Sequence, residues 1–436
     1  MDHFEYRDGE LHAGDVPLAG LAAEHGTPLY VYSGATLLRH YDLLAAAFAP
    51  LHPLICFSVK CCSNVHVLRL LAERGAGMDV VSGGELLRAR LAGVPAERTV
   101  FAGVGKTDEE IHQALAGDPD RGDTTPIGLF NIESEPEYEV VAAAARAMGV
   151  SARAALRVNP GIAAGGHAYV RTGHAETKFG VELPHAEALF EKFAREKHLR
   201  LCGVHLHIGS SITDPAPYVE AVTRALALID RLERKGVRIE ALDLGGGFGA
   251  DYTSGAAPSA ATFAAAIVPL LESRVRAGLR IILEPGRTIA ANAGVLLTRV
   301  LFVKHTGPRK FVVCDAGMNT LLRPSLYGAF HFIWPVSVSP QHVPPSRQEK
   351  LDLPGLETCD VVGPVCETGD FLARDRLLPM LARGDLLAVF AAGAYGMSMA
   401  SRYNSHPLPA EVMVQGSLGR LIRRRETLDD LIEHER

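Results

Sequence analysis

The feature that most constrains the fold of this 436-residue chain is a regular alternation of apolar runs and amphipathic stretches between residues 53 and 287. The apolar runs predict eight strands: Leu54–Lys60, Met78–Ser82, Thr99–Ala102, Ile127–Ile132, Ala154–Asn159, Leu201–His207, Ala241–Leu244 and Arg280–Glu284. Apolar residues at i, i+3 and i+4 spacing predict intervening helices, among them Asn64–Arg74, Thr107–Ala116, Glu135–Met148, Pro217–Lys235 and Ala260–Arg276. Eight such repeats predict a (β/α)8 TIM barrel in the α/β class, with a doubly wound parallel sheet as the alternative.

The pattern changes after residue 290, where the predicted strands Val295–Val303, Lys310–Val313 and Leu386–Phe390 have no long helices between them. Pro335–Pro354 is rich in proline and serine and predicts an extended loop. We therefore expect a β-rich domain at 288–436, after a barrel domain at 37–287. The barrel needs no strand from residues 1–36, so this N-terminal segment is expected to pack with the β domain.

The composition excludes several classes of protein. Apolar residues make up 47% and charged residues 22% of the chain, as in ordinary globular proteins, and the formal net charge of −6 argues against a nucleic-acid partner. The polar start lacks the apolar core of a signal peptide, and no run is long enough to span a bilayer. The odd number of cysteines, seven, with no CxxC pair, fits reduced thiols. We expect a cytoplasmic protein with no membrane partner.

Three short segments together predict one cofactor site. Lys60 ends the first apolar run, a glycine-rich loop at Gly245–Gly249 follows the seventh, and Glu284–Arg287 follows the eighth. A lysine that can form an imine, bare amides for a phosphate and a carboxylate for a ring nitrogen are what pyridoxal 5'-phosphate (PLP) requires. In a barrel all three would lie at the carboxyl ends of strands, where active sites are found.

The glycine loop and a pair of histidines also permit other interpretations. The glycine loop matches the loose dinucleotide pattern G-x-G-x-x-A, but it follows a seventh strand rather than the first strand of a βαβ unit, which favours a phosphate alone. His205 and His207 are two residues apart, so on one strand they would face the same side, as two metal ligands do. This raises the alternative of a metal-dependent hydrolase. No further ligand set is evident, so we predict no metal site.

Glu284 bears on the type of reaction. A carboxylate opposite a pyridine nitrogen keeps that nitrogen protonated and makes the ring a strong electron sink, whereas an arginine would favour racemisation. Glutamate at this position therefore favours decarboxylation.

The chain resembles the fold-type III PLP-dependent decarboxylases, whose barrel is similar to that of alanine racemase and is followed by a β-rich barrel or sandwich. The resemblance covers nearly the whole chain and is carried by ten collinear motifs: Asp79–Leu86, Phe101–Thr107, Arg157–Pro160, Lys178–Gly180, His205–Ser210, Gly245–Gly249, Glu284–Arg287, Arg323–Gly328, Cys366–Glu367 and Tyr395.

The resemblance also implies roles for individual residues. The catalytic residues would be Lys60, which bonds the cofactor, His207, which stacks on its ring, Glu284 at its nitrogen, and Cys366 as proton donor. The cofactor-binding set is Lys60, Asp79, His207, Ser210, Gly246, Gly247, Glu284, Gly286, Arg287 and Tyr395. The substrate-binding set is Arg287, Arg323, Tyr327, Glu367 and Tyr395. Family members are homodimers whose Cys-Glu loop enters the partner's site.

Within the family, the resemblance is strongest to members that decarboxylate meso-2,6-diaminopimelate to L-lysine, the last step of lysine biosynthesis. Decarboxylation of ornithine, arginine or carboxynorspermidine is the alternative, and a non-catalytic PLP-binding protein is the alternative outside the enzymes. The chain departs from the family in having Cys61-Cys62 after the lysine, where Ala-Asn is usual, and in a longer Pro335–Glu357 segment.

Overall fold

The computed structural model describes residues 2–162, 178–255 and 257–436. The strands are β1 (Phe4–Arg7), β2 (Glu10–Ala13), β3 (Val16–Pro17), β4 (Leu29–Ser33), β5 (Leu54–Ser58), β6 (Gly77–Val80), β7 (Thr99–Phe101), β8 (Leu129–Ile132), β9 (Ala152–Asn159), β10 (Val181–Glu182), β11 (Leu199–His205), β12 (Ala241–Asp243), β13 (Arg280–Leu283), β14 (Gly294–Thr306), β15 (Arg309–Cys314), β16 (Ile333–Pro335), β17 (Glu357–Val362), β18 (Phe371–Leu378), β19 (Leu386–Val389), β20 (Ala410–Gln415) and β21 (Leu418–Arg423).

The helices are α1 (Leu18–His25), α2 (Gly34–Ala47), α3 (Val65–Glu73), α4 (Gly83–Leu91), α5 (Asp108–Ala116), α6 (Glu135–Met148), α7 (Leu183–Phe193), α8 (Ala216–Arg234), α9 (Ala260–Arg276), α10 (Arg287–Ala290), α11 (Arg323–Tyr327) and α12 (Leu428–Ile432). None of the helices in the described ranges has the length and apolar character needed to cross a membrane.

The chain separates into two compact units. One comprises residues 41–249 and 258–286, and we call it the barrel unit. The other comprises residues 1–40, 250–257 and 287–436, and we call it the sheet unit. The assignment of 1–36, 37–287 and 288–436 as functional domains stays a prediction.

The barrel unit is built on eight parallel strands that close on themselves, in the order β5, β6, β7, β8, β9, β11, β12 and β13, with β13 pairing back to β5. The predicted (β/α)8 barrel is therefore confirmed, and the doubly wound alternative is wrong because an open sheet would leave β5 and β13 unpaired. A short strand, β10, adds to β9 outside the ring.

Local sequence signals explain where the barrel helices begin and end. Thr107 and Glu110 form a reciprocal capping box at the start of α5, which satisfies two backbone amides that a helix otherwise leaves unpaired. Ser134 caps α6 by accepting from the amide of Glu137, and Gly149 ends the same helix in a left-handed conformation with φ of 68°. These caps are local, so the helix predictions there were accurate.

The predicted strands run too far at their carboxyl ends. Lys60 lies in a 3-10 turn, Val59–Cys61, rather than in β5, and His207 and Glu284 lie in loops just beyond β11 and β13. The prediction that His205 and His207 share one strand face is therefore wrong for His207. The backbone leaves the sheet after His205, where its neighbouring strand β12 also ends at Asp243.

The barrel interior has an apolar part and a polar part. Near the amino ends of the strands, one apolar cluster is formed by Cys56, Val100, Leu129, Ala155 and Ile282, with Leu54 packed against it. At the carboxyl ends the buried side chains are polar, and they are listed here: Asp79, Asn131, Arg157, His205, Asp243 and Glu284. Because the interior near the amino ends is apolar, the polar groups that could take part in a reaction lie at the carboxyl ends of the strands.

The sheet unit contains a nine-stranded sheet that includes the order β18, β17, β15, β14, β4, β20 and β21, while β19 pairs with both β14 and β16. The N-terminal strand β4 lies between β14 and β20, so the two ends of the chain meet in one sheet. A separate three-stranded sheet is formed by β1, β2 and β3. Between β16 and β17 the only helical element is a 3-10 turn at Pro340–His342, as expected for an extended segment.

Candidate active site

Lys60 is placed by the turn that follows β5. Its Nζ lies 2.5 Å from Oδ2 of Asp79 at the carboxyl end of β6, and Ser58 Oγ donates to the same oxygen. Asp79 is fully buried, whereas the Lys60 side chain is 32% exposed. The amine therefore reaches open space while a buried carboxylate fixes its position. Burial, followed by the charge of Glu284, raises the pKa of Asp79 despite the pairing with Lys60.

Glu284 belongs to a buried polar network that spans the barrel. Asn131 Nδ2 donates to Glu284 Oε1 at 2.9 Å and to Asp243 Oδ2 at 3.1 Å, so one amide ties two carboxyl groups together. His205 Nε2 lies 3.4 Å from the other oxygen, Oε2, of Glu284. These side chains come from the ends of β8, β11, β12 and β13, and all are within 2% of full burial.

The pKa values of the two carboxyl groups in this network are shifted in opposite directions. Burial, and then the neighbouring charge of Glu284, raises the pKa of Asp243 well above its ordinary value. Burial also opposes ionisation of Glu284, but His205, Lys60 and the hydrogen bond from Asp243 outweigh it and lower the pKa of Glu284. Two carboxyl groups this close cannot both ionise easily, so Asp243 keeps a proton and Glu284 carries the charge.

A cavity of about 420 Å³ opens at this end of the barrel unit, and Lys60, Arg157, His207 and Glu284 contribute to its lining. Burial, followed by the charges of Arg157 and Lys60, holds the pKa of His207 well below its ordinary value, so its imidazole is neutral at neutral pH. A neutral flat ring suits contact with another flat ring better than a cation would, in agreement with the predicted stacking role.

The glycine loop is shaped by close packing. A Cβ on Gly246 would lie 2.1 Å from the carbonyl oxygen of Glu284, and one on Gly247, whose φ is 101°, would lie 2.3 Å from that of Gly209. Only glycine fits at these two positions. The amides of Gly246 and Gly247 donate to no residue in the described part of the chain. They are thus two backbone donors available to an anion.

The comparisons with known proteins agree with this geometry. Residues 35–291 match the family described as pyridoxal-dependent decarboxylase, pyridoxal binding domain. The chain belongs to this family. It is 44% identical to the diaminopimelate decarboxylase of Aquifex aeolicus, over 99% of this chain and 97% of that protein, and 45% identical to that of Pseudomonas aeruginosa, over 99% and 98%.

A solved structure extends the comparison to the fold. The crystal structure of diaminopimelate decarboxylase from Helicobacter pylori, complexed with L-lysine, is 38% identical in sequence and superposes with a TM-score of 0.87. The alignment covers 96% of this chain and 99% of that one. The alignment therefore includes residues of both the barrel unit and the sheet unit.

The cofactor of this decarboxylase is PLP, and the barrel unit fits it. The cavity presents a lysine amine, a carboxylate held in the ionised form and a neutral imidazole, and the loop of Gly246 and Gly247 presents two amides. Ser210 lies half-exposed in the loop after β11, and Gly286 packs so closely that a Cβ would lie 2.9 Å from that of Ser58. The predicted cofactor-binding residues of the barrel unit therefore lie at or just beyond the carboxyl ends of its strands.

In the sheet unit, two predicted cofactor residues contact each other. The guanidinium of Arg287, at the start of α10, lies over the ring of Tyr395 at 4.7 Å, and its Nη1 donates to Tyr252 Oη at 2.6 Å. Tyr395 has a φ of 56°, which a bulky side chain adopts only when its surroundings require it. The predicted pair is thus held in a defined arrangement, with Tyr252 as a contact that sequence reasoning missed.

Arg323, the predicted ligand of the distal carboxylate, is 6% exposed at the start of α11. Its guanidinium lies over the ring of Tyr252 at 4.5 Å. Its Nη1 lies 2.9 Å from Nε2 of His331, whose Nδ1 pairs with the carbonyl oxygen of Phe390. A carbonyl only accepts, so Nδ1 carries the proton and Nε2 accepts from Arg323. Burial and the charge of Arg323 lower the pKa of His331 to about 3, which keeps it in this form.

The Cys366–Glu367 loop is exposed but ordered by specific hydrogen bonds. The amide of Cys366 donates to Asn404 Oδ1 at 2.9 Å, and Tyr403 Oη donates to Glu367 Oε2 at 2.9 Å. Buried Asp370 accepts from the amides of Val365 and Met318, both at 2.6 Å. Cys366 is exposed, whereas all the other cysteines are buried. Tyr327, the remaining predicted substrate residue, lies half-buried at the end of α11.

Sequence reasoning missed several residues of the barrel site, chiefly Asn131, Arg157, Asp243 and the contact between His205 and Glu284. Each is a polar residue at the carboxyl end of a predicted strand, which in a barrel is the signal of a site residue. Arg157 was noted only as part of a motif. It donates from Nη1 to Glu133 Oε1 at 2.7 Å and lines the cavity.

Proposed function

We propose that this decarboxylase converts meso-2,6-diaminopimelate to L-lysine and carbon dioxide, the last step of lysine biosynthesis. The observation that carries the reaction type is the ionised Glu284, held by Asn131 and with His205 Nε2 at 3.4 Å, in the cavity that Lys60 also lines. The relatives from Aquifex aeolicus and Pseudomonas aeruginosa, which match along nearly their whole length, support the choice of substrate.

Glu284 would hold the ring nitrogen of PLP, and it is prepared for this before any ligand binds. When bound, PLP supplies an electron sink for the pair left behind as carbon dioxide departs. A carboxylate with a lowered pKa keeps its negative charge beside a cationic N–H, which holds a proton at that nitrogen. Asn131 satisfies Oε1, so the orientation of the carboxylate is set by the barrel rather than by the ligand.

Lys60 would supply the amine that bonds the cofactor. Its pairing with Asp79 at 2.5 Å holds Nζ at the mouth of the cavity. A buried carboxylate can also take up or return the proton that the amine must lose in order to react, and the raised pKa of Asp79 suits that exchange. His207, neutral and part of the cavity wall, would lie against the ring.

The distal end of the substrate carries an ammonium group and a carboxylate, and the proposal assigns a partner to each. Arg323 and Arg287, with Tyr327 and Tyr395, would bind the distal carboxylate, and Glu367 the distal ammonium. Arg323 is buried and its Nη1 faces a neutral histidine, so no carboxylate neutralises it among its hydrogen-bond partners in the described residues. Ornithine and arginine have no distal carboxylate to use this charge.

The Cys366–Glu367 loop supports a homodimer in which Cys366 protonates the substrate carbon in the partner's active site. The loop is held rigid from within by Asp370, while its thiol and carboxylate face outward. Rigid and exposed reactive groups suit delivery to another chain. We also propose a cytoplasmic location, because none of the seven cysteines, all within the described residues, forms a disulfide, and reduced thiols persist in a reducing compartment.

One assay tests the substrate. Purified protein with PLP is offered meso-2,6-diaminopimelate, ornithine, arginine and carboxynorspermidine in separate reactions, and released carbon dioxide is measured. The proposal expects kcat/KM to be highest for diaminopimelate, with L-lysine as product. Equal or higher activity on ornithine would contradict the assignment of Arg323, and PLP binding without turnover of any of the four would favour the non-catalytic alternative.

A further inference from the structure

Two histidines and a carboxylate meet at the carboxyl end of the barrel. His205 ends β11, His207 follows two residues later, and Glu284 follows β13. Each offers one ligand atom, and the three atoms lie within 4.8 Å of one another. Sequence reasoning considered the histidine pair and found no third ligand, because Glu284 is distant along the chain. The closed barrel brings Glu284 next to the two histidines and so provides the third ligand.

The spacing of two of these atoms matches a metal site. His205 Nε2 and Glu284 Oε2 are 3.4 Å apart. Zinc bonds nitrogen and oxygen ligands at about 2.0–2.1 Å in a tetrahedron, so adjacent ligand atoms lie roughly 3.3–3.4 Å apart. One edge of the tetrahedron is thus already formed, and His207 lies within a small side-chain adjustment of the third corner.

His205 itself indicates that a partner is missing. The side chain is 1% exposed, and neither Nδ1 nor Nε2 makes a hydrogen bond within the described residues. Buried ring nitrogens almost always have a partner. The proposed reaction uses His207 and Glu284 but gives His205 no contact with the substrate or the cofactor. A metal at the position between Nε2 and Oε2 would give His205 Nε2 a partner.

The carboxylate is also oriented as a ligand would be. Asn131 donates to Oε1 at 2.9 Å, which leaves Oε2 directed to His205. Hydrogen bonds from a surrounding residue to the non-ligating atom are common at metal centres and fix the ligand's orientation. Two imidazoles and one carboxylate select zinc, cobalt and similar ions over magnesium or calcium, which prefer oxygen ligands.

We propose that the cofactor-free chain binds one divalent transition-metal ion, such as Zn²⁺, through His205, His207 and Glu284, and that the metal and PLP exclude each other. The exclusion follows from two shared residues, because His207 and Glu284 are also assigned to the cofactor. Zinc would then act as a reversible inhibitor of cofactor loading. This proposal concerns the chain before PLP binds and does not depend on the identity of the substrate.

Cobalt provides a direct probe. The full-length protein is stripped of PLP and titrated with Co²⁺, whose tetrahedral complexes absorb in the visible range. We expect one Co²⁺ per chain, with visible bands but without the near-ultraviolet charge-transfer band of a sulfur ligand. His205→Asn should weaken binding by at least about 100-fold, since removing even a supporting residue costs 10- to 100-fold. His112→Asn, on the exposed side of α5, is the matched control.

Folding of the His205→Asn variant is checked by the visible absorbance that appears when PLP is added, which a misfolded chain would not give. If that variant does not fold, Glu284→Gln removes a ligand while keeping the side-chain volume, and it too should lose Co²⁺. PLP should displace Co²⁺ from the wild type and abolish its visible bands, and Zn²⁺ should slow cofactor loading until a chelator is added.

Three outcomes would overturn the proposal. A sulfur charge-transfer band would place the metal on a cysteine such as Cys61 or Cys366. Unchanged Co²⁺ affinity in both folded variants would make the ion adventitious. Simultaneous retention of Co²⁺ and PLP by the wild type would disprove a shared site.

Discussion

The barrel site and the Cys366–Glu367 loop hold reactive groups in opposite environments. Glu284 is 2% exposed and is tied to Asn131, so its ionisation and direction are set by the strands around it. Glu367 and Cys366 are exposed, and their partners Tyr403 and Asn404 belong to neighbouring surface segments. A buried group has its partners within one chain, whereas in the proposed homodimer the exposed loop would serve a second chain. The comparison predicts which variants fail alone and which can be rescued.

The largest effect is expected from Lys60→Ala. The substitution removes the amine that pairs with Asp79, so it should abolish the visible absorbance of bound PLP and nearly all turnover. Absorbance spectra and single-turnover assays measure both. Lys192→Ala, at a half-exposed helical lysine, should behave as the wild type. A variant that still gave a borohydride-reducible bond to the cofactor would show that another lysine has this role.

Mixing two inactive variants tests whether the loop serves the partner chain. Lys60→Ala and Cys366→Ala homodimers should each be almost inactive. If each site takes Lys60 from one chain and Cys366 from the other, every heterodimer contains one intact site. After unfolding and refolding an equal mixture, about a quarter of all sites should regain activity, because a two-fold interface makes both sites equivalent.

The contrary outcome is equally clear. If both residues served the same chain, each site of every heterodimer would lack one of them. Dimers shown by tagged chains to be mixed, yet without recovered activity, would place Cys366 in the site of its own subunit or outside any site.

Arg323→Ala should lower kcat/KM for diaminopimelate by about 10- to 150-fold, since a charge-assisted hydrogen bond contributes about 1.5–3 kcal/mol. The loss should be selective, because an amino acid without a distal carboxylate does not use this guanidinium. The ratio of kcat/KM values for diaminopimelate and ornithine is therefore the measurement, with the melting temperature as a check on folding. An equal loss for both substrates would assign Arg323 to the fold alone.

Two substitutions of Asp243 distinguish the effect of its charge from the effect of its hydrogen bonds in the buried network. Its raised pKa predicts a neutral acid, so Asp243→Asn, which is also neutral and keeps an oxygen for the amide of Gly245, should keep PLP affinity within about 10-fold, although its amide nitrogen cannot accept from Asn131. Asp243→Ala leaves the amide of Gly245 and one N–H of Asn131 without acceptors, a loss of about 1–3 kcal/mol for each buried group. Titration of both variants with PLP compares them. Equal weakening in both would mean that Asp243 acts as an anion.

The smallest effect concerns stability and Glu85. Burial is the main reason that the pKa of Glu85 is raised from 4.5 to about 7. The negative charge of Asp79 acts in the same direction. A carboxyl group with a raised folded pKa stabilises the fold at low pH and loses that contribution as pH rises through about 7. Glu85→Gln should therefore be more stable than the wild type at pH 8 by about 1–3 kcal/mol, but not at pH 5.

Denaturant unfolding at the two pH values measures this difference. Glu73→Gln alters an exposed carboxylate on α3 and is the matched control, which should leave the pH dependence of unfolding as in the wild type. A Glu85→Gln variant whose unfolding free energy changed with pH as steeply as that of the wild type would contradict the prediction.

The barrel was predictable because its signals are local and repeated. Apolar strands, capped helices such as α5 and α6, and turns recur eight times, and each can be recognised within a short window. Helix α4 is not among the helices named from the sequence, and it begins with Gly83 and Gly84, which are poor helix formers, although Ser82 caps it. Strand β18 was overlooked because Arg374, Asp375 and Arg376 interrupt its apolar pattern.

Candidate cofactor residues could be proposed where chemistry requires one residue type at one strand end, as at Lys60 and Glu284. The hydrogen-bond network around Glu284 could not be predicted from the sequence. Asn131 and Asp243 are separated by 112 positions, and their hydrogen bond exists only because β8 and β12 are parts of one closed ring. Spacing along the chain carries no signal for such a contact. For the same reason, the third potential metal ligand was invisible beside the histidine pair.

Strand β4 lies between β14 and β20, so it is synthesised before both of the strands that pair with it. The ribosome adds roughly 5–20 residues per second, so β4 emerges tens of seconds before β20, which follows it by about 380 residues. Both edges of this apolar strand are open until β14 emerges, and the edge that pairs with β20 stays open for the whole interval, so the strand must be kept from other nascent chains. The barrel strands, by contrast, have all been made by residue 283. A nascent chain that stalls after the barrel would therefore carry the lysine site and an unprotected β4, which makes it a substrate for chaperones rather than a working half-enzyme.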